Sequence, residues 1–384
     1  MTINDKRVLF ISNLYPNPLR PTMGAFNQQQ ISALSKHCSV DVISPVPWTM
    51  LRGRGITRCR QDERVHVYHP TYFYVPRMWR HWYGWFFYWS IWRQATRLLD
   101  TGRYDLIYAS WLYPDAWAAS KLAARYGLPL VVKVHGSDVN KLEPGAAVTE
   151  SSMEVVNHAE KTVCVSAALK SRLIALGAPE QKLELLYNGI NRDIFFPGDK
   201  AAIRNQLGVG ADEFVVLFVG NLKKEKGIGE LVAAYAALEK GTRIRSRLVV
   251  IGSGPDRAFA HELVAMKGCS GSVSFLGVQP LEVIARWMNA ASVLCLPSYM
   301  EGVPNVVLEA LSCNTRVVAT RVGGIPELDN GSGMITLVEP RQESELLQAL
   351  LDCSRLPQQD GPLASVSTWA ENAGRLNSMM FDRK

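Results

Sequence analysis

The sequence predicts an α/β protein built from two doubly wound domains. Short β-branched runs alternate with helix-length stretches along almost the whole chain, the pattern of βαβ units and parallel sheets. The alternation breaks at 188–199, where Asn188-Gly189 and Pro197-Gly198 give turn signals, and then restarts. A chain of 384 residues is too long for one ordinary core and suits two of comparable size.

In the first half, strands are predicted at Val8–Ser12, Val40–Ser44, Val65–Tyr68, Leu106–Ala109, Leu130–Val134 and Thr162–Val165, with helices at Ala25–Lys36, Ala116–Tyr126 and Ala167–Ala175. After the break, strands are predicted at Val215–Val219, Leu248–Ile251, Val273–Leu276, Val293–Leu296, Val317–Ala319 and Met334–Val338. Helices follow at Ile228–Lys240, Arg257–Met266, Leu281–Asn289, Pro304–Leu311 and Glu343–Cys353. A Pro/Gly/Gln-rich break at 357–362 precedes a last segment, 365–383. Its Trp369, Ala373, Leu376 and Met380 share one helix face and are expected to pack back on the first domain. The expected organisation is a first domain at 1–190, a second at 191–362 and a terminal helix at 363–384. Ligands of such sheets sit beyond the carboxyl ends of the strands, and a cleft between the domains is the default site.

Apolar residues at 47% and charged residues at 20% give a globular balance and exclude a disordered chain. The net charge of +7 suits anionic partners without choosing among them. Seven cysteines contain no Cys-x2-Cys pair, which argues against a disulfide framework or structural zinc and for a reducing, cytoplasmic setting. No apolar run approaches the roughly 18 residues of a spanning helix.

Chemistry is concentrated after the strands of the second domain. In Ser298-Tyr299-Met300-Glu301-Gly302-Val303-Pro304-Asn305, a helix is predicted to start at Pro304, leaving Glu301 just before it and Glu309 inside it. A helix start offers free N–H groups and a positive dipole end, suited to a diphosphate. Acids on either side could accept hydroxyls at both ends of a nucleotide sugar. Gly220-Asn221-Leu222-Lys223-Lys224-Glu225-Lys226-Gly227 follows a strand and could neutralise a departing diphosphate, although it lacks a Walker pattern. Gly252-Ser253-Gly254 reads as a plain strand-to-helix turn. In the first domain, His135-Gly136-Ser137-Asp138 ends a strand, and Gly24 opens a helix after a long loop.

Together these segments resemble the family-four retaining glycosyltransferases of the GT-B fold. The resemblance rests on Glu301-x7-Glu309, Gly323-Gly324-Ile325-Pro326-Glu327, Asn188-Gly189-Ile190 with Phe196-Pro197, and Lys226-Gly227. The N-terminal third is similar to bacterial cell-surface polysaccharide and teichuronic-acid-type transferases. The resemblance implies an acceptor-side first domain and a nucleotide-sugar-binding second domain, facing across a cleft. It implies Glu301 at the donor sugar, Glu309 at the ribose, Lys226 at the diphosphate and His135 near sugar and acceptor, so that Glu301, His135 and Lys226 carry catalysis. Gly302, Val303, Pro304 and Asn305 would hold sugar and phosphate, Gly24 would sit beneath the diphosphate, and Gly277-Val278 would line the base pocket. Asn221 stands where the family often has an arginine that shares the diphosphate. Retention of anomeric configuration and a site with no metal or other cofactor are expected, and no Asp-x-Asp element is present.

The run from Tyr72 to Arg97 holds five tryptophans, Trp79, Trp82, Trp85, Trp89 and Trp92, among Arg77, Arg80, Arg93 and Arg97. Such a mixture favours a membrane interface with anionic lipid, against the plainer alternative of an aromatic core helix. Nucleic acid is not expected. The expectation is therefore transfer of a sugar from a nucleotide-diphosphate donor to a lipid-linked or polysaccharide acceptor, at the inner face of the cytoplasmic membrane. A nucleotide-sugar epimerase and a non-catalytic subunit of a polysaccharide assembly complex are the alternatives.

Overall fold

A computed structural model describes residues 6–51, 59–62, 64–356 and 366–382. The chain forms two compact units: one runs through Gly189 and takes back the segment from Ser367, and the other spans Ile190–Val366.

The first unit contributes β1 (Arg7–Ile11), β2 (Ser39–Ile43), β3 (Val46–Pro47), β4 (Cys59–Asp62), β5 (Val65–Tyr68), β6 (Thr71–Tyr72), β7 (Leu106–Ser110), β8 (Leu130–Val134), β9 (Lys161–Cys164) and β10 (Leu183–Leu185). Eight of them form a sheet in the order β10-β9-β8-β7-β1-β2-β5-β4, while β3 and β6 make a separate two-stranded ladder. The large sheet is parallel except that β4 runs against β5. Chain order reverses between β1 and β7, so the crevice of this sheet lies beyond Ile11 and Ser110.

Period-two alternation divides the core between the two faces. Leu9, Ile11, Ile107 and Ala109 pack on one side with the helices Tyr83–Leu99 and Trp117–Tyr126. Val8, Phe10 and Tyr108 pack on the other with Ile31 and Leu34 of the helix Ala25–Leu34. Trp369, Ala373 and Leu376 of the terminal helix join that second face, and Asn372 accepts a 2.6 Å hydrogen bond from Gln30. The terminal helix is shorter than expected, Trp369–Phe381, because a capping box of Thr368 and Glu371 fixes its start. The Pro/Gly/Gln-rich break before it lies outside the described residues.

The second unit contributes β11 (Phe214–Val219), β12 (Ser246–Ile251), β13 (Val273–Gly277), β14 (Val293–Leu296), β15 (Arg316–Thr320) and β16 (Ile335–Val338), all parallel in the order β13-β12-β11-β14-β15-β16. Its order reverses between β11 and β14, which puts its crevice at the loops after Val219 and Leu296.

The plainer reading of the tryptophan-rich run, an aromatic core helix, holds for one face of it. The helix Tyr83–Leu99 buries Phe87, Tyr88, Ile91, Ala95 and Leu99 in the core, while Trp82, Trp85 and Trp89 stay exposed. Among the described residues, no helix is long and apolar enough to cross a membrane.

Candidate active site

In the second unit the two loops at the strand-order switch meet. Lys226, after β11, donates to Glu301, after β14, with Nζ 2.6 Å from Oε1. Glu301 is 9% exposed and Lys226 half-buried, so the pair stands at the surface of the crevice. Tyr299 N donates to the Glu225 carbonyl at 2.8 Å, and the Tyr299 hydroxyl donates to Glu230, tying the loops together. Arg341 lies over the Tyr299 ring at 4.6 Å.

Backbone contact sets this geometry. Gly323 has φ +55°, and a Cβ there would stand 2.1 Å from the Glu301 carbonyl oxygen. Its neighbour Gly324 donates its N–H to the Gly302 carbonyl at 2.7 Å. The Gly-Gly-Ile-Pro-Glu segment is thus the platform on which Glu301 and Gly302 rest. Gly227, at φ +68°, lets Lys226 close against the end of β14, where a Cβ would meet the Pro297 carbonyl oxygen at 2.0 Å. Gly252 and Gly254 do more than turn the chain. They press on Gly220 and Leu222, and Leu222 N donates to the Ser253 carbonyl at 3.0 Å, which supports the lysine loop.

Pro304 is the N-cap of the helix Asn305–Ser312, one residue later than expected, and no side chain caps it. Val303 and Pro304 are buried at this helix start. Glu309 lies one turn in. Protein atoms crowd its carboxyl although the residue keeps partial exposure, and this desolvation pushes it up to about 7. Gly277 closes β13, where its carbonyl accepts the Gly252 N–H at 2.7 Å, and Val278 beyond it is exposed. Asn221, Lys223 and Lys224 are exposed on the lysine loop. A cavity of about 330 Å³ in this unit is lined by Lys200, Phe214 and Arg316 at the amino ends of the strands, the opposite edge from Lys226.

In the first unit a second cluster forms at its own switch point. Gly24 opens the helix Ala25–Leu34 so close to the preceding loop that a Cβ would fall 2.3 Å from the Leu14 carbonyl oxygen. Asn27 Nδ2 donates to that oxygen at 2.7 Å, which orients the amide. Ser110 then donates its one proton to Asn27 Oδ1 at 3.1 Å. His135 Nε2 lies 2.7 Å from Ser110 Oγ, a hydrogen bond that joins the ring to the Asn27–Ser110 pair. Burial, reinforced by the charge of Lys133, holds His135 well below the usual histidine range, so its imidazole is neutral. Phe26 and Trp111 flank the ring, with centroids 4.7 and 6.4 Å away.

Asp138 shapes the turn under His135, accepting N–H groups of His135 at 3.0 Å and Gly136 at 2.8 Å, while burial raises its carboxyl to about 6. Lys133 is fully buried and donates to Gln30 Oε1 at 3.1 Å and Asn188 Oδ1 at 2.8 Å, and burial lowers it to about 7. The expected residues therefore fall into two groups: Asn221, Lys226, Gly277, Val278, Glu301, Gly302, Val303, Pro304, Asn305 and Glu309 in one unit, Gly24 and His135 in the other. Sequence reasoning missed Asn27, Ser110, Tyr299 and Glu230. Their only signal is position beyond a strand or early in a helix.

Two family models match the chain. Residues 213–355 fit "Glycosyl transferases group 1" and residues 25–194 fit "Glycosyltransferase Family 4". The chain is 28% identical over 370 residues to TuaC, a glycosyltransferase of teichuronic acid biosynthesis from Bacillus subtilis, covering 90% of this chain and 88% of the relative. It is 32% identical over 249 residues to a D-inositol 3-phosphate glycosyltransferase of Kribbella flavida, covering 60% of this chain and 58% of that protein. Sucrose-phosphate synthase of Thermosynechococcus elongatus superposes with a TM-score of 0.80 at 21% identity, covering 98% of this chain and 99% of the other, a likeness of fold.

Proposed function

Because the chain belongs to the group 1, family-four glycosyltransferases of GT-B fold, we propose that it moves a sugar, with retention, from a nucleoside diphosphate sugar to a lipid-linked or polysaccharide acceptor of the cell surface. The observation that carries this reading is the Lys226–Glu301 pair at the strand-order switch of the second unit. An ammonium and a carboxylate in mutual contact suit a ligand with phosphate oxygens for one and hydroxyls for the other. On donor binding, Lys226 Nζ turns to the diphosphate. Glu301 then accepts sugar hydroxyls, and Glu309 those of the ribose. The helix start at Asn305, capped by no side chain, adds its dipole to the phosphates. Val278 borders the base.

In the reaction the anomeric carbon–oxygen bond breaks with oxocarbenium character, and charge grows on the leaving phosphate. Lys226 and the helix N-terminus stabilise that charge from fixed positions, the largest single term in many such sites. The acceptor oxygen bonds to the anomeric carbon on the departing face and gives its proton to the leaving phosphate. Neutral His135 serves the acceptor. Lys226 supplies charge that a divalent metal provides elsewhere, so no metal is needed. The exposed tryptophans and arginines of 77–97 bring the enzyme to the cytoplasmic face of an anionic membrane.

A thermal-shift screen across UDP-, GDP- and ADP-sugars tests the donor half, since a ligand of the folded state raises its stability. A shift with one nucleotide sugar that disappears in Lys226→Ala is expected. Turnover of donor alone to an epimer, or near-normal transfer by both Lys226→Ala and Glu301→Ala, overturns the reading.

A further inference from the structure

A groove of about 720 Å³ lies in the first unit, away from the Gly24–His135 cluster. Its walls come from Tyr68 at the end of β5, His69 beyond it, Phe73 after β6, and Trp89, Arg93 and Arg97 of the helix Tyr83–Leu99. That volume is typical of a ligand site. Two features set its chemistry. Phe73 and Trp89 are 62% and 63% exposed at its rim, a state that large apolar side chains adopt where a partner covers them. Arg93 and Arg97, one helical turn apart on the same face, are exposed, and neither forms an ion pair among the described residues. No acid lines the groove, and none occurs in the sequence from 71 to 99.

The apolar rim does not stand alone. Trp82, Trp85 and Trp89 continue the arginine row toward the helix N-terminus at spacings of three and four residues, and Met78 and Trp79 extend it through the preceding turn. A row that passes from exposed tryptophan to unpaired arginine matches a bilayer surface, where rings enter the headgroup layer and guanidinium groups take phosphate. Arginine also presents a planar fork that fits two phosphate oxygens. We propose that this groove is a binding site for the headgroup phosphate of an anionic glycerophospholipid, held by Arg93 and Arg97 with Phe73 and Trp89 against the glycerol and upper acyl chain. The inference rests on the membrane contact suggested above and adds a specific site to it.

The test uses the full chain with three vesicle types: phosphatidylcholine alone, phosphatidylcholine with phosphatidylglycerol, and phosphatidylcholine with a polyprenyl diphosphate. Co-sedimentation measures partitioning, and brominated phosphatidylglycerol reports tryptophan depth by quenching. Partitioning onto phosphatidylglycerol vesicles is expected to fall roughly 30-fold in Arg93→Gln/Arg97→Gln, the effect of two basic residues at an anionic surface. Trp89→Ser should lose part of the quenching, with Trp79, Trp82 and Trp85 supplying the rest. The control Arg103→Gln/Arg243→Gln removes the same charge from exposed positions outside the groove and should bind as wild type. Urea melts of all variants report folding. Equal weakening by the control pair, unchanged binding by the groove pair, or binding only to polyprenyl diphosphate vesicles overturns the proposal. Donor thermal shifts are read separately: their loss refutes the transferase reading whatever the vesicles show.

Discussion

Replacing Glu309 by glutamine should make the protein more stable and a poorer donor binder, and the stability gain should depend on pH in a fixed direction. Burial raises the Glu309 carboxyl from 4.5 to about 7. The folded state therefore keeps a proton between those two values that the unfolded chain has lost. Stability of the wild type falls as pH rises through that window and is level above it. At about 1.4 kcal/mol per unit, the cost of the folded anion at pH 8 is of order 3 kcal/mol. Glutamine has nearly the same shape and no charge, so the variant should match the wild type near pH 4.5 and exceed it by about 1–3 kcal/mol at pH 8. Urea denaturation at four pH values between 4.5 and 8.5 measures the difference. The same charge is what a ribose hydroxyl would donate to, so donor affinity should fall about tenfold, a hydrogen bond to a charged group being lost. A stability difference that is flat with pH refutes the desolvation argument. A stabilised variant with unchanged affinity refutes the ribose role and leaves the desolvation standing.

Lys226→Ala should lower the transfer rate by roughly 10²–10³, the usual effect of removing one preorganised charge-stabilising donor, measured as product per minute with excess donor. Gly323→Ala forces a β-carbon into a left-handed position against the Glu301 carbonyl. It should cost at least about 1–2 kcal/mol and displace Glu301, read as a lower Tm together with weaker donor binding. His135→Ala should keep the donor thermal shift and lose transfer. Because the folded-state value of His135 is depressed, the unfolded chain takes the proton first, so stability is lost as pH falls below about 6.5. Between pH 6.5 and 8 no step in the rate should belong to this ring. Excess EDTA should leave transfer unchanged, and a drop restored by Mg²⁺ or Mn²⁺ refutes metal-independence.

Much of the fold was legible because both large sheets are parallel, but for β4, and packed with helices. Their strands, such as Phe214–Val219 and Leu106–Ser110, are continuous apolar runs with sharp ends. The helix Ala147–His158 escaped notice for the opposite reason. It buries Thr149 and Ser152 beside Val155 and Val156, so half of its inward face is polar in composition. The helix Lys200–Gln206 was hidden by its short length and by Arg204, a buried residue whose guanidinium donates to the carbonyls of Ala290 and Ala211 at 2.8 and 2.6 Å. At the site, Glu301, Lys226 and His135 were visible because charged or polar groups follow strands there. Asn27 and Ser110 were not, since their part depends on a chain of hydrogen bonds joining residues 14, 27, 110 and 135. Such a chain exists only once three strands stand side by side.

That dependence explains why glycines, rather than the charged groups themselves, fix the candidate site. A carboxylate or ammonium stabilises a developing charge only if it need not reorganise when the charge appears. Long side chains on open loops lack this property; short loops stacked on one another have it. Gly323 under Glu301, Gly227 behind Lys226, and Gly252 with Gly254 beneath the lysine loop all bring backbone to backbone at distances no β-carbon tolerates. Each loop is therefore held by its neighbour, and the support for the Lys226–Glu301 pair spans the ends of β11, β12, β14 and β15. Adding one methyl group at any of these glycines should damage donor binding without touching a functional side chain. A Gly252→Ala variant with wild-type donor affinity would show instead that the lysine loop keeps its place without that support.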